Sequence, residues 1–436
     1  MSDIPWTVTG SVLVEEEDIT GILTTRPLSN VEVEISGSTT ANIYQSWGTV
    51  RTDKEGKFFL KKEKNQSKRK IKVKVRFADS ELEINTGALA DLNDFISPAI
   101  LIYEDGWEKD DPSVTIGDVT FALDNHGRIE LGIRDNYRQA VTWYACKTLI
   151  NTLQAKDPYF AFKNKIKVIY PANVASGQNY ADGITRCAYI HYKVGNDLWS
   201  VRGVLHEVMH LWNYDHNHGT ANWFGAVFCP PDLSTHSQAE RRPIAFHEGF
   251  AEFAASELLY ELWGNEPDSG IIKNKIKKEK PYTRYALVHQ YLLDNIDEVE
   301  QSDSGVFRAL CVLTERAIYS HKFGDKNNQL DSDPYPMEIS IGRLSCPQNP
   351  RLTIWDVLTV FQANASAGYP TEWQVGNNDY GIRMFFQRAK GVLGGKLDDS
   401  TKDLMLSLID PNSTEEPQSR CTPLTLGSHP SPLAHI

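Results

Sequence analysis

At about Asn136 the hydrophobic period of this chain changes from two to between three and four, which sets the kind of fold that each side can adopt. A period of two buries one face of a sheet, and a period near 3.6 buries one face of a helix. Upstream, Val31, Val33 and Ile35 alternate with Glu32 and Glu34, and Ile71, Val73, Val75 and Phe77 alternate with Lys72, Lys74 and Arg76. Downstream, Ala140, Trp143, Tyr144, Leu149, Ile150 and Leu153 recur at helical spacing. The 436 residues exceed the usual size of one domain, so the chain reads as multidomain. An all-β domain is expected over 1–125. An α+β domain, mostly helical in its C-terminal half, follows over 126–410, and a disordered tail rich in Pro, Ser and Thr over 411–436.

Charge and composition narrow the function. A net charge of -12 leaves no surplus of Lys and Arg for counterion-release binding, so no nucleic-acid partner is expected. The start, Met1-Ser2-Asp3-Ile4-Pro5-Trp6, lacks the basic and apolar regions of a secretory signal, and no apolar run reaches the ~18 residues of a membrane span. The expectation is a protein without membrane insertion, cytoplasmic or exported without a cleavable signal peptide. Six cysteines without a C-x-x-C pair read as buried free thiols. The basic run from Lys273 to Lys280 before Pro281 reads as a solvated linker or helix end, and helices are expected from Trp355 to Phe361 and Thr401 to Ile409.

Within the first quarter, Thr52-Asp53-Lys54-Glu55-Gly56-Lys57-Phe58 supplies a tight turn that returns Phe58 to the core. With Gly10-Ser11-Val12 before it and Gly117-Asp118-Val119 after it, this stretch resembles the transthyretin-like β-sandwich found as an accessory module beside many peptidases. That resemblance concerns fold, since such sandwiches serve unrelated roles.

The chemistry lies further on. Lys165 to Tyr170, stopped by Pro171, and Cys187 to Tyr192 read as strands. A helix then runs from a cap at Asn196 or Asp197 through Val201, Val204, Leu205, Met209 and Trp212, and it carries His206-Glu207-Val208-Met209-His210. Residues four apart share a helix face, so both imidazoles can reach one metal ion, with Glu207 about 100° round the helix. A second helix after Pro243 reads Ile244-Ala245-Phe246-His247-Glu248-Gly249-Phe250-Ala251-Glu252-Phe253 and offers a carboxylate as third ligand.

The paired motifs H-E-V-M-H-L-W and H-E-G-F-A-E-F resemble the gluzincin metallopeptidases, the zincin-like group that includes thermolysin and the leukotriene-hydrolase-like aminopeptidases. The resemblance spans about Cys187 to Trp263. It implies one Zn2+ per chain held by His206, His210 and Glu248, with Glu207 as general base and acid and Glu252 orienting a ligand histidine. It also implies a peptide or protein substrate and a downstream donor to the developing oxyanion. Tyr282, Tyr285 and His289 are the candidates and Tyr285 the choice. Cys187 to Tyr192 would offer the edge along which an extended peptide pairs.

Two departures mark this chain. The span from His210 to Glu248 is about twice that of the aminopeptidase branch, and the Gly-x-Met-Glu-Asn element of that branch is absent, so an endopeptidase is preferred to an aminopeptidase. A second ligand set also stays open. His206-Glu207-x-x-His210-x-x-Asn213-x-x-His216 resembles the metzincin pattern with Asn at the turn, although Met337 is the next methionine. His216, His218 and His236 otherwise read as exposed, His247 as a capping or cleft-lining residue and Trp212 as core. The remaining alternative is a non-catalytic protein in which the sandwich does the binding.

Overall fold

The structure is a computed structural model and describes residues 6–17, 23–38, 43–62, 70–88, 99–106, 113–122, 131–174, 177–193, 196–216, 238–263, 276–283, 306, 309–310, 316–323, 339–343, 352–362 and 381–397. The chain divides into two compact units, one of 1–215 with 258–274 and one of 216–257 with 275–436.

In the first unit, β1 (Trp6–Glu17) is the centre of a four-stranded sheet. β2 (Leu23–Pro27) and β5 (Lys57–Lys62) pair antiparallel with its two halves, and β9 (Ser113–Phe121) runs parallel along its other edge. A second sheet has the order β4 (Tyr44–Arg51), β3 (Glu32–Ser38), β6 (Lys70–Arg76), β8 (Ile100–Gly106), antiparallel throughout. The register places Val33 opposite Val75 and Ile35 opposite Val73, so the alternation in both strands delivers apolar side chains to one buried face. The other face is laced by charge: Arg76 reaches Glu32 and Glu34, and Lys72 reaches Glu104. This sheet-rich region is compatible with the expected sandwich.

The turn before β5 follows from two residues. Asp53 accepts hydrogen bonds from the amides of Glu55 and Lys57. Gly56 sits at φ +74, where a Cβ would meet the Val12 carbonyl at 2.6 Å, so only glycine fits.

A third sheet has the order β11 (Tyr180–Asp182), β12 (Cys187–Lys193), β10 (Ile166–Asn173), β7 (Leu82–Ala88), with the short β13 (Asn196–Asp197) on the far end of β12. β7, from within the first 125 residues, lies parallel to β10, and β10 lies parallel to β12. Cys187 to His191 are all buried, as expected of an inner strand covered on both faces. β12 is therefore not the edge: β11 covers Cys187 to Tyr189, and β13 covers Tyr192 and Lys193. β10 continues past Pro171 to Asn173 through a register shift between Ile169 and Ala172.

α1 (Leu131–Lys156) begins five residues before Asn136. Its Trp143 is fully buried and donates through Nε1 to the Ser29 carbonyl. One turn on, Lys147 lies 2.8 Å from Asp79 and 2.5 Å from Glu81, joining the helix to the turn that leads into β7.

The second unit includes most of α3 (Gln238–Trp263), which starts earlier than expected and takes Pro243 inside it. α4 (Ile354–Gln362) and α5 (Ile382–Leu393) follow. Thr353 and Asp356 cap α4 reciprocally, the amide of each donating to the other's side-chain oxygen. Phe246 and Phe250 of α3 join Phe361 of α4 and Phe385 of α5 in one aromatic cluster, with neighbouring ring centroids 4.7 to 6.4 Å apart. A three-stranded sheet, β14 (Ile276–Thr283), β15 (Arg316–Phe323), β16 (Ile339–Arg343), also belongs here. The basic run ending at Lys280 thus enters a strand, not a linker or helix end. Its charged side chains conceal what backbone pairing with β15 provides. The expected helix from Thr401 to Ile409 and the tail over 411–436 lie outside the described residues. Among the described residues no helix is long and apolar enough to cross a membrane.

The Lys147 cluster carries a measurable pH signature. Burial pushes the Asp79 carboxyl up, but hydrogen bonds from Lys147 and from the amides of Leu82 and Glu81 outweigh it and leave the pKa below its usual 3.8. A depressed folded-state pKa adds stability above the unfolded value, and that stability is lost as pH falls through the folded one. Asp79→Asn is expected to lower unfolding stability by about 3 kcal/mol at pH 7, with the gap narrowing below about pH 4. Urea midpoints across pH 2 to 7 check this, and a gap independent of pH contradicts it.

Candidate metal centre

α2 (Val201–His216) is capped by Ser200, whose Oγ accepts from the Gly203 amide at 2.9 Å. Ser200 and not Asn196 or Asp197 starts the helix, because those two residues are committed to β13. The helix is buried nearly all round, with Leu205, Val208, Met209, Leu211 and Trp212 excluded from solvent. Trp212 is core, its Nε1 donating to the Phe160 carbonyl at 2.8 Å.

His206 and His210 stand one turn apart, their rings near perpendicular and their Nε2 atoms 3.1 Å apart. Two nitrogens on one tetrahedral cation at ~2.1 Å lie about 3.4 Å apart, so this spacing needs only a small adjustment. Glu207 is 6 % exposed on the same helix. On α3, Phe246 and Phe250 flank Glu248 at two residues' distance, so their packing in the aromatic cluster turns the intervening residue away from it. The ligand atoms of His206, His210 and Glu248 all lie within 4.8 Å of one another, a group that could hold a metal ion. Two imidazoles and a carboxylate form a three-ligand set, and such sets leave a coordination position for a water or substrate. Among the described residues, this is the only group of three or more His, Cys, Asp or Glu side chains with that property.

His216 does not join it. A metzincin-type set needs the helix to end at Asn213, whereas α2 continues unbroken to His216. Six further residues carry His216 about 240° round the axis and ~9 Å along it from His210. His216 is also buried rather than exposed. Glu252 lies one turn beyond Glu248 and is half-buried, and His247 is buried. Tyr282 falls in β14, while Tyr285, His289, His218 and His236 lie outside the described residues.

Among the described residues, β11 is one edge of the third sheet. Just before it, Asn179 accepts from the His191 amide at 2.9 Å and donates to the Leu198 carbonyl at 3.3 Å. It also abuts the first turn of α2, where a Cβ on Gly203 would meet its Nδ2 at 3.1 Å. Tyr180 stacks on Tyr189 with centroids 5.9 Å apart. Its phenol is pushed up to about 12 by burial first and then by the charges of Asp182 and Glu207.

At the other end of α2, Asp215 accepts from Arg186 at 2.7 Å, from the Lys163 amide at 2.9 Å and from Asn164 at 3.4 Å. Arg186 donates a second bond to the Leu211 carbonyl at 3.1 Å, and Lys163 Nζ reaches the Asp215 carbonyl at 2.5 Å. Two cations thus satisfy carbonyls of the last turn, where the helix dipole favours positive charge. Sequence reasoning missed this network. One signal was present: an acidic residue in the last turn of a helix is unfavourable without cationic partners. The Cys146 and Cys187 thiols are free and buried, and burial pushes Cys146 up to about 12, away from reactive thiolate.

No family model matches the chain, and no curated protein matches it. Among solved structures, a 9R-lipoxygenase from Cyanothece PCC8801 is similar over 89% of this chain and 77% of that one, at 10% identity and a TM-score of 0.21. Likeness at that level carries no argument about fold or activity.

Metal analysis of variants separates the two ligand sets. Glu248→Ala is expected to lose at least ~10-fold in metal affinity and His216→Ala to stay within about twofold of the parent. The opposite ranking in a competition titration with a chromogenic chelator contradicts the assignment.

Proposed function

We propose that the chain is a zinc-dependent peptidase, an endopeptidase in preference to an aminopeptidase, with an α+β zincin-like catalytic region behind a transthyretin-like sandwich. The observation that carries this reading is the convergence of the His206, His210 and Glu248 ligand atoms within 4.8 Å, with Glu207 beside them on the same helix turn. One zinc ion suits the donors: imidazole nitrogen and carboxylate oxygen are its ordinary ligands, and three of them are the usual complement of a hydrolytic site. Bound there, zinc would supply Lewis acidity, lowering the pKa of water from 15.7 to about 7 and polarising a carbonyl.

The remaining work falls to side chains of this chain. His206 and His210, fixed by a buried helix, supply two ligands with little freedom to lose, and Glu248 neutralises part of the positive charge. The Glu207 carboxylate takes the proton from the attacking water and returns it to the departing amine, so that one group serves as base and then as acid. Its burial reduces competition from bulk water for that proton.

An extended peptide has a docking line at β11. Among the described residues β11 pairs only with β12, so its outer edge presents backbone donors and acceptors for a further strand. Pairing along an edge needs no free chain end, which favours cleavage within a polypeptide. Tyr285 is retained as the proposed oxyanion donor on the strength of the family resemblance alone.

Glu207→Gln tests the chemistry. The variant is expected to bind about one zinc per chain, because its ligands are intact, and to lose hydrolysis of an internally cleaved peptide by at least ~10²-fold. Undiminished turnover in that variant would remove Glu207 from the mechanism, and cleavage confined to free amino termini would replace the endopeptidase reading.

A further inference from the structure

The Arg186–Asp215 pair lies outside the ligand set, yet it joins the two elements that a peptidase of this kind must hold in register. Arg186 is the last residue of the turn between β11 and β12. It adopts φ +61, a left-handed conformation that a non-glycine residue keeps only when its surroundings fix it. Its side chain bonds Asp215 and the Leu211 carbonyl, and its guanidinium lies 5.7 Å from the Tyr214 ring. Leu211, Tyr214 and Asp215 are one, four and five residues after His210. The guanidinium and carboxylate are both largely withdrawn from solvent, at 11% and 3% side-chain exposure. A planar donor fork between a carboxylate and a helix carbonyl fixes orientation as well as distance.

Asn179 forms the matching latch at the start of α2, through His191, Leu198 and the surface of Gly203. The β11–β12 hairpin is therefore bonded to the last turn of α2 through Arg186 and to the Leu198 segment that leads into α2 through Asn179, with the histidine-bearing turns between the ties. From this geometry we infer that Arg186 and Asp215 are positioning residues: they set the register between the β11 edge and the His206–His210 turns, so that a peptide paired along β11 presents its scissile carbonyl at the metal site. This rests on the peptidase reading, in which β11 receives substrate.

The consequence is a separation of kinetic effects. Loosening the pair leaves the ligands and the β11 backbone intact, so metal and peptide still bind. The bound carbonyl is displaced, and displacement of about 1 Å can cost as much as ~10²-fold in rate. A purely structural pair would instead lower the melting temperature and leave the turnover of the folded fraction unchanged.

The experiment compares the full-length zinc-loaded protein with Arg186→Lys, Arg186→Met and Asp215→Asn, assayed well below each melting temperature on an internally cleaved peptide. Arg186→Met and Asp215→Asn are expected to lose ~10 to 10²-fold in kcat, with KM and zinc affinity within about threefold. Arg186→Lys, which keeps the charge but not the fork, is expected to fall between them and the parent. If Arg186→Met does not fold, the lysine and asparagine variants carry the test. Unchanged kcat in the folded variants, or a loss confined to KM or to zinc affinity, overturns the inference. Amide exchange without zinc or substrate separates this failure from failure of the peptidase reading. Joint loss of protection at 180–182 and 211–216, with β3 and β6 still protected, supports the coupling even for an inactive protein, and independent loss at the two segments rejects it.

Discussion

Two neutral imidazoles must be presented to one point in space, and an unbroken helix accomplishes that with little else. Spacing of four residues along α2 brings the His206 and His210 Nε2 atoms to 3.1 Å, and the continuous burial of the helix fixes the turns that carry them. The same continuity excludes His216, which a further turn and a half has carried to another face. The rest of the proposed chemistry is arranged around this pair, with Glu207 on the same turn and the carboxylate of Glu248 as third donor.

Burial of α2 creates a second requirement, since a helix surrounded by protein has terminal amides and carbonyls that must be satisfied from within. Ser200 serves one end, and Arg186 with Lys163 serves the other. Arg186 and Lys163 come from the segments just before β12 and β10, so their bonds to the end of the helix also tie α2 to the third sheet. Local capping and longer-range positioning are thus the same set of hydrogen bonds.

Much of this was legible in the chain. Alternation marked β3 and β6, because one face of each is buried and the other bears cross-strand ion pairs. The His-Glu spacing marked α2, and the Phe-His-Glu-Gly-Phe run marked the part of α3 that packs its aromatic side chains. What was not legible depended on partners distant in sequence. Nothing local says that Leu82 and Ile84 pair beside β10, or that a three-residue strand at Tyr180 displaces β12 from the edge. Asn196 and Asp197 resembled caps because their side chains suit that role, but a strand pairing claimed their backbone first. In β14 the lysines masked a strand, since backbone hydrogen bonds need no apolar alternation. The place of Arg186 opposite Asp215 follows only from the folded hairpin.

The central claim is a first coordination shell, and X-ray absorption at the zinc edge of the purified, zinc-loaded chain reads that shell directly. The account predicts one tightly held zinc per chain with nitrogen and oxygen ligands near ~2.0 to 2.2 Å, two of them showing the outer-shell scattering of imidazole, and no sulfur. A chain that retains no zinc after dialysis, or a shell containing thiolate or a single imidazole, would contradict it.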